Sequence, residues 1–98
     1  MLLLCGVSYS QITTSTISGV IYVDGEPAKE IKLIMTHLPT NYETEAETNN
    51  KGNFTIDDLE VGGPYELTIM IHDVKYYRRY NYLILGENEI GKIEISTN

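Results

Sequence analysis

The chain has two histidines, His37 and His72, and they offer the readiest metal or proton chemistry. A metal centre needs several ligands converging within bonding distance. No cysteine or second histidine stands at close spacing to either, and the two sit on different expected strands. Both are read as surface or strand-end groups. Asp57, Asp58 and Glu60 form one acidic cluster, and Asp24 with Glu26 forms another. Paired carboxylates do acid–base work when a cleft drives their pKa values apart. Here they fall at strand ends and turns, where carboxylates stay solvated. The segment 49–53, Asn-Asn-Lys-Gly-Asn, has the faint outline of a calcium loop. It lacks alternating carboxylates and a distal bidentate glutamate, and its lysine would repel the ion. No catalytic residue, metal or cofactor is expected.

One segment stands apart. Residues 75–82, Lys-Tyr-Tyr-Arg-Arg-Tyr-Asn-Tyr, hold three of the seven basic residues and four of the eight tyrosines. Exposed Tyr and Arg are favoured at protein interfaces. Tyrosine faces also stack on flat or ring-shaped ligands such as sugars. Tyr76, Tyr77, Arg78, Arg79 and Tyr80 are therefore the candidate partner-binding residues, with a protein or a glycan as the partner. Strict alternation would turn Tyr80, Tyr82 and Ile84 to the core and Arg79, Asn81 and Leu83 to solvent. The alternative is a strand whose basic residues cover acidic neighbours.

The elements that carry these residues read as strands. A chain of 98 residues makes one small domain, burying about 65% of its extended surface. Its net charge of −7 argues against nucleic acid and against adsorption to anionic lipid. Residues 1–7 are apolar, and Ser8 and Ser10 stand three and one before Gln11, as at a signal-peptidase site. The run is too short to span a bilayer, which takes about 20 apolar residues. Residues 1–10 are expected to be a processed leader that takes Cys5 with it, and 11–98 the domain. The competing reading of that run is a first strand.

No stretch keeps a helical apolar period. Alternation predicts strands over 17–23, 31–36, 42–48, 65–72, 76–85 and 90–95. A further strand carries Phe54 and Ile56 inward and ends at Asp57-Asp58. The strand over 65–72 is expected to be central, and 42–48 an edge with Glu43, Glu45 and Glu47 on its solvent face. Turns fall at Asp24-Gly25-Glu26-Pro27, Asn49-Asn50-Lys51-Gly52, Gly62-Gly63-Pro64 and Gly86-Glu87-Asn88. Seven short strands so spaced predict a β-sandwich.

Three pieces in order carry a resemblance. They are Gly19-Val20-Ile21 through Asp24-Gly25-Glu26-Pro27-Ala28 to Ile31-Lys32-Leu33, then Thr48-Asn49-Asn50-Lys51-Gly52-Asn53-Phe54, then Val61-Gly62-Gly63-Pro64-Tyr65. Over about residues 15–95 the chain resembles the carboxypeptidase regulatory-like domain. The third piece is similar to the copy preceding the plug of TonB-dependent outer-membrane receptors, especially those of Bacteroidetes. The resemblance implies a seven-stranded Greek-key β-sandwich of the prealbumin/transthyretin-like kind, closed by a hairpin over 83–95. It also implies an exported, non-catalytic accessory domain at the periplasmic face of the outer membrane. Such a domain would contact a periplasmic or outer-membrane protein and assist nutrient uptake. The chain departs from the family pattern at Glu30 and at 72–76. A free-standing secreted glycan- or matrix-binding module is the alternative.

Overall fold

The computed structural model describes residues 13–97, so the expected leader at 1–10 lies outside the described residues. Eight strands and no helix are present among them. They are β1 (Ser15–Val23), β2 (Glu26–Pro27), β3 (Lys32–His37), β4 (Tyr42–Glu47), β5 (Asn53–Leu59), β6 (Tyr65–Ile71), β7 (Val74–Tyr80) and β8 (Gly86–Ile95). In the first sheet β1 pairs antiparallel with β2 and β5 and parallel with β8. The second sheet is antiparallel, in the order β4-β3-β6-β7.

The two sheets share one core. Ile17, Ile21, Phe54, Ile56, Ile93 and Ile95 come from the first, and Leu33, Met35, Tyr65, Leu67, Ile69 and Ile71 from the second. Each such aliphatic stabilises the fold by about 1.5–3 kcal/mol when fully buried. The period-2 pattern of β6 made it the expected centre, and it does lie between β3 and β7. β4 is an edge, with Glu43, Glu45 and Glu47 exposed.

Several boundaries differ from the pattern. Pro27 does not stop pairing, because Glu26–Pro27 folds back on Tyr22 and Val23 as a short eighth strand. Asp57 and Asp58 do not end β5. A bulge absorbs them, with Asp58 at φ 61°, and Leu59 returns to pair with Ser15. His72 leaves the β6 strand for a two-residue turn with Asp73.

The largest correction concerns the C-terminal strands. β7 stops at Tyr80, and Gly86-Glu87-Asn88 belongs to β8 instead of turning the chain. There is no closing hairpin over 83–95. The chain crosses to the other sheet, and β8 lies parallel to β1, from Ser15 opposite Gly86 to Val23 opposite Ile95. Leu83 packs against the core while Tyr82 and Ile84 are exposed, opposite to the expected phase. Alternation cannot persist through a crossover, since the backbone there belongs to no ladder.

The turns have mechanical roles. Thr48 Oγ1 donates to the Ala28 carbonyl (2.7 Å) and accepts from the Ile31 amide (2.8 Å). Asn49 Oδ1 accepts from the amides of Lys51 and Asn53 at 2.9 and 3.0 Å. Gly52 has φ +81°, and a Cβ there would lie 2.6 Å from the Ile21 carbonyl oxygen. Gly52→Ala is therefore expected to lower unfolding free energy by at least about 1–3 kcal/mol, measured by denaturant titration.

Asp24 ties the end of the chain to the β1–β2 turn. It accepts from the Thr97 amide (2.9 Å) and hydroxyl. These two bonds hold its carboxyl below the usual carboxylate value. A depressed folded value stabilises above the unfolded value, and the effect is lost as pH falls through the folded one. Asp24→Asn is expected to be less stable than the parent at pH 7 and equal to it in acid, where both side chains are neutral. Denaturation curves at the two pH values check this.

Candidate functional site

The five sequence-derived residues Tyr76, Tyr77, Arg78, Arg79 and Tyr80 all lie on β7, the edge of the second sheet. The pleat divides them. Tyr76 and Tyr80 pack against the core, and Arg78 lies between them on the same face. Tyr77 and Arg79 point to solvent. The five therefore do not form one platform.

Arg78 closes the side of the sandwich. Its guanidinium donates to the Tyr77 carbonyl (2.9 Å) and to the Glu94 carbonyl of β8 (3.3 Å). Arg78 is half-buried, and its charged end reaches the open side, as long cationic side chains do. β7 and β8, the edges of two different sheets, are thereby linked. Burial pushes the Tyr80 phenol up, and the Arg78 charge pulls it partway back.

Beyond Tyr80 the crossover 81–85 and the start of β8 enclose an open groove of about 520 Å³. Its walls include Tyr80, Asn81 and Tyr82 on one side and Glu87, Asn88 and Glu89 on the other. Tyr82 is 74% exposed and presents its ring. Arg79 Nε reaches Asn81 Oδ1 at 3.4 Å.

Asn88 sets the shape of this groove. Its Oδ1 accepts from the Ile84 amide (2.9 Å), and its Nδ2 donates to the carbonyls of Ile84, Gly86 and Thr16 at 2.9, 3.1 and 3.1 Å. Ser15 Oγ donates to the same Ile84 carbonyl (2.8 Å). One amide side chain thus replaces the ladder that the crossover lacks. From the other side the β5–β6 loop supports the crossover. A Cβ on Gly63 would lie 2.2 Å from the Asn81 carbonyl oxygen, so only glycine permits that approach.

Asn81 and Tyr82 end the Tyr/Arg segment singled out in the sequence but lie outside its five candidate residues, and Glu87 and Asn88 are read there only as a turn. The usable signal was Asn88, a residue able to bond backbone on two sides, six residues after Tyr82. A second, smaller groove of about 370 Å³ runs over Ser18, Val20, Asn53, Thr55 and Glu89. It presents mainly small side chains.

The other sequence candidates have structural partners. His37 is buried. Its Nε2 faces the Gly62 carbonyl at 2.7 Å and its Nδ1 the Thr40 hydroxyl at 2.7 Å. A carbonyl only accepts, so Nε2 carries a proton and donates it to Gly62. Its ring lies 5.5 Å from that of Tyr65. His72 is exposed in the β6–β7 turn. Asp57 accepts from Thr16 (3.2 Å), while Asp24 holds Thr97. Among the described residues no group of three or more His, Cys, Asp or Glu converges on a point.

Comparison with known proteins bears on the fold. No family model matches the chain, and no curated protein does. Among solved structures it is similar to a candidate carbohydrate-binding protein from Pseudomonas aeruginosa, at 13% identity and TM-score 0.59. The match covers 89% of this chain and 90% of that one. It is also similar to a DUF3823-family protein from Parabacteroides merdae, at 14% identity and TM-score 0.58, over 88% of this chain and 46% of that one. A 9R-lipoxygenase from Cyanothece matches at 13% identity and TM-score 0.56, over 95% of this chain and 18% of that one. The chain thus spans about half of the second structure and under a fifth of the third. At these identities the similarity establishes a small all-β sandwich fold.

The effect of the Arg78 charge on Tyr80 has a direct readout. In Arg78→Met the cation is lost and the burial of the phenol remains, so Tyr80 is expected to titrate at higher pH than in the parent. Tyrosine-ring NMR across an alkaline titration measures this. An unmoved or lowered value would contradict the placement of Arg78 beside Tyr80.

Proposed function

We propose that this chain is a non-catalytic, exported carbohydrate-binding module, with the Tyr82 groove as its site. We place it in the carboxypeptidase regulatory-like, Greek-key transthyretin-like group, on the three sequence pieces quoted above. The observation that carries the function is the pairing of a projecting aromatic ring with carboxylate groups across an open groove. Sugar rings present an apolar face that stacks on tyrosine, and vicinal hydroxyls that donate to carboxylates and amides. Asn81, Glu87 and Glu89 supply such acceptors within the groove lining. An open groove suits an extended ligand better than an enclosed one does. The similarity to the candidate carbohydrate-binding protein supports this reading over nearly the full length of both chains.

A second reading is the accessory domain of a TonB-dependent receptor. It is favoured by Val61-Gly62-Gly63-Pro64-Tyr65 and by the open β7 edge, with Tyr77 and Arg79 as the partner-facing residues. Outer-membrane fractionation of native cells with an antibody to the domain separates the two readings. A band far larger than this chain in the outer membrane supports the receptor, and a small exported band supports the free-standing module.

The glycan reading is tested on a glycan array, followed by calorimetry with the best-binding oligosaccharide. Tyr82→Ala is expected to weaken binding about tenfold, the loss of a stacking contact worth about 1.4 kcal/mol. Tyr77→Ala, on a different face, should leave affinity unchanged. An array without binders, or equal affinity in Tyr82→Ala, would overturn the assignment.

A further inference from the structure

The outer face of the second sheet is built of rows that run from β4 to β7. The registers give them as Glu43–Thr36–Glu66–Arg79, Glu45–Ile34–Thr68–Tyr77 and Glu47–Lys32–Met70–Lys75. Every row begins with a glutamate at one open edge. Two of the three end in a cation at the other, and the middle one ends in Tyr77, which is 51% exposed.

The peptide groups follow the same division. The β6–β7 turn has two residues, His72 and Asp73, both with positive φ, as in a type I′ hairpin. In such a hairpin the flanking pair, Ile71 and Val74, exchanges hydrogen bonds, and bonded pairs alternate from there. Val74, Tyr76, Arg78 and Tyr80 therefore bond to β6, while Lys75, Tyr77 and Arg79 offer their amides and carbonyls to the open edge. The Arg78 guanidinium on the Tyr77 carbonyl is consistent with this. At the other edge the Thr48 amide donates to the Ile31 carbonyl (3.0 Å). Alternation then turns Tyr42, Thr44 and Ala46 toward β3 and leaves the peptide groups of Glu43, Glu45 and Glu47 free.

We infer that the β7 edge of one molecule pairs with the β4 edge of a second copy, extending the sheet. β4 runs antiparallel to β7, so a translated copy continues the antiparallel order. Continuing each row places Glu43 of the second copy opposite Arg79, its Glu45 opposite Tyr77, and its Glu47 opposite Lys75. These are the residues whose peptide groups face outward on both edges. Opposite charges directly across a strand pair stabilise it, and like charges destabilise it.

The same charges work against symmetric pairing. Two β7 edges would set Lys75 against Arg79, and two β4 edges would set Glu43 against Glu47. The contact is therefore head-to-tail, and head-to-tail contacts that do not close into a ring give open chains. Association releases the Arg78 bond to the Tyr77 carbonyl. The inference is argued from the strand registers and does not rest on the sugar-binding reading, although Arg79 lines the Tyr82 groove as well as the edge.

Sedimentation velocity over a concentration series tests it. The parent protein should form dimers and longer chains as concentration rises. Association should weaken between about 20 and 500 mM salt as screening shortens. Lys75→Glu/Arg79→Glu and Glu43→Lys/Glu47→Lys should each stay monomeric. The variant carrying all four changes keeps the net charge of −7, because two charges of each sign are exchanged, and should associate like the parent. Thermal melts confirm that each variant is folded. A parent that stays monomeric, stops at a symmetric dimer, or is matched by either double variant would overturn the inference. So would a four-change variant that remains monomeric.

Discussion

The parallel pairing of β8 with β1 is the constraint on which the rest of this molecule depends. Without it the last strand would fold back on β7 as a hairpin and lengthen the second sheet. With it the chain must leave β7, cross the side of the sandwich and enter the other sheet beside its own first strand. Three consequences follow. The crossover 81–85 has no ladder partner and relies on Asn88. Arg78 finds the Glu94 carbonyl of β8 within reach and links the two sheet edges. The Tyr82 groove exists because the crossover and the start of β8 diverge there.

On the opposite side, the chain passes from β4 to β5 through Thr48-Asn49-Asn50-Lys51-Gly52. A bare link between sheets would leave buried backbone groups unpaired, which is costly. Thr48 answers this by bonding to both Ala28 and Ile31, and Asn49 folds the turn upon itself. The residues that carry the family resemblance are thus residues of folding mechanics. Val61-Gly62-Gly63-Pro64-Tyr65 works the same way. Gly62 accepts from His37, Gly63 admits Asn81, Pro64 accepts from Leu38, and Tyr65 donates to the Glu60 carbonyl. Residues that serve the fold do not fix a function, so function must be argued from the groove and the edges.

What was legible in the sequence was local. The alternation of β6 reports burial on one face, so its central place could be read directly. The glutamates of β4 marked an edge, because charge along one face of a strand signals solvent. The crossover was not legible. Tyr80, Tyr82 and Ile84 continue the alternation of β7 past its end, and only the distant partner strand β1 decides that the ladder stops. Nor could periodicity show the β5 bulge, where Asp58 takes a positive φ so that Leu59 regains the core. The Tyr/Arg segment was found, but the pleat splits its residues between a structural role at Arg78 and Tyr80 and an exposed one at Tyr77 and Arg79. The more exposed ring, Tyr82, is one that strict alternation would turn to the core.

The groove's chemistry rests on where a ligand sits, and that position can be observed directly. Intermolecular NOEs from the ring protons of a bound oligosaccharide would locate it. The account predicts contacts to the Tyr82 ring, with none to Tyr42 or Tyr77. Contacts to either of those rings without Tyr82 would contradict it.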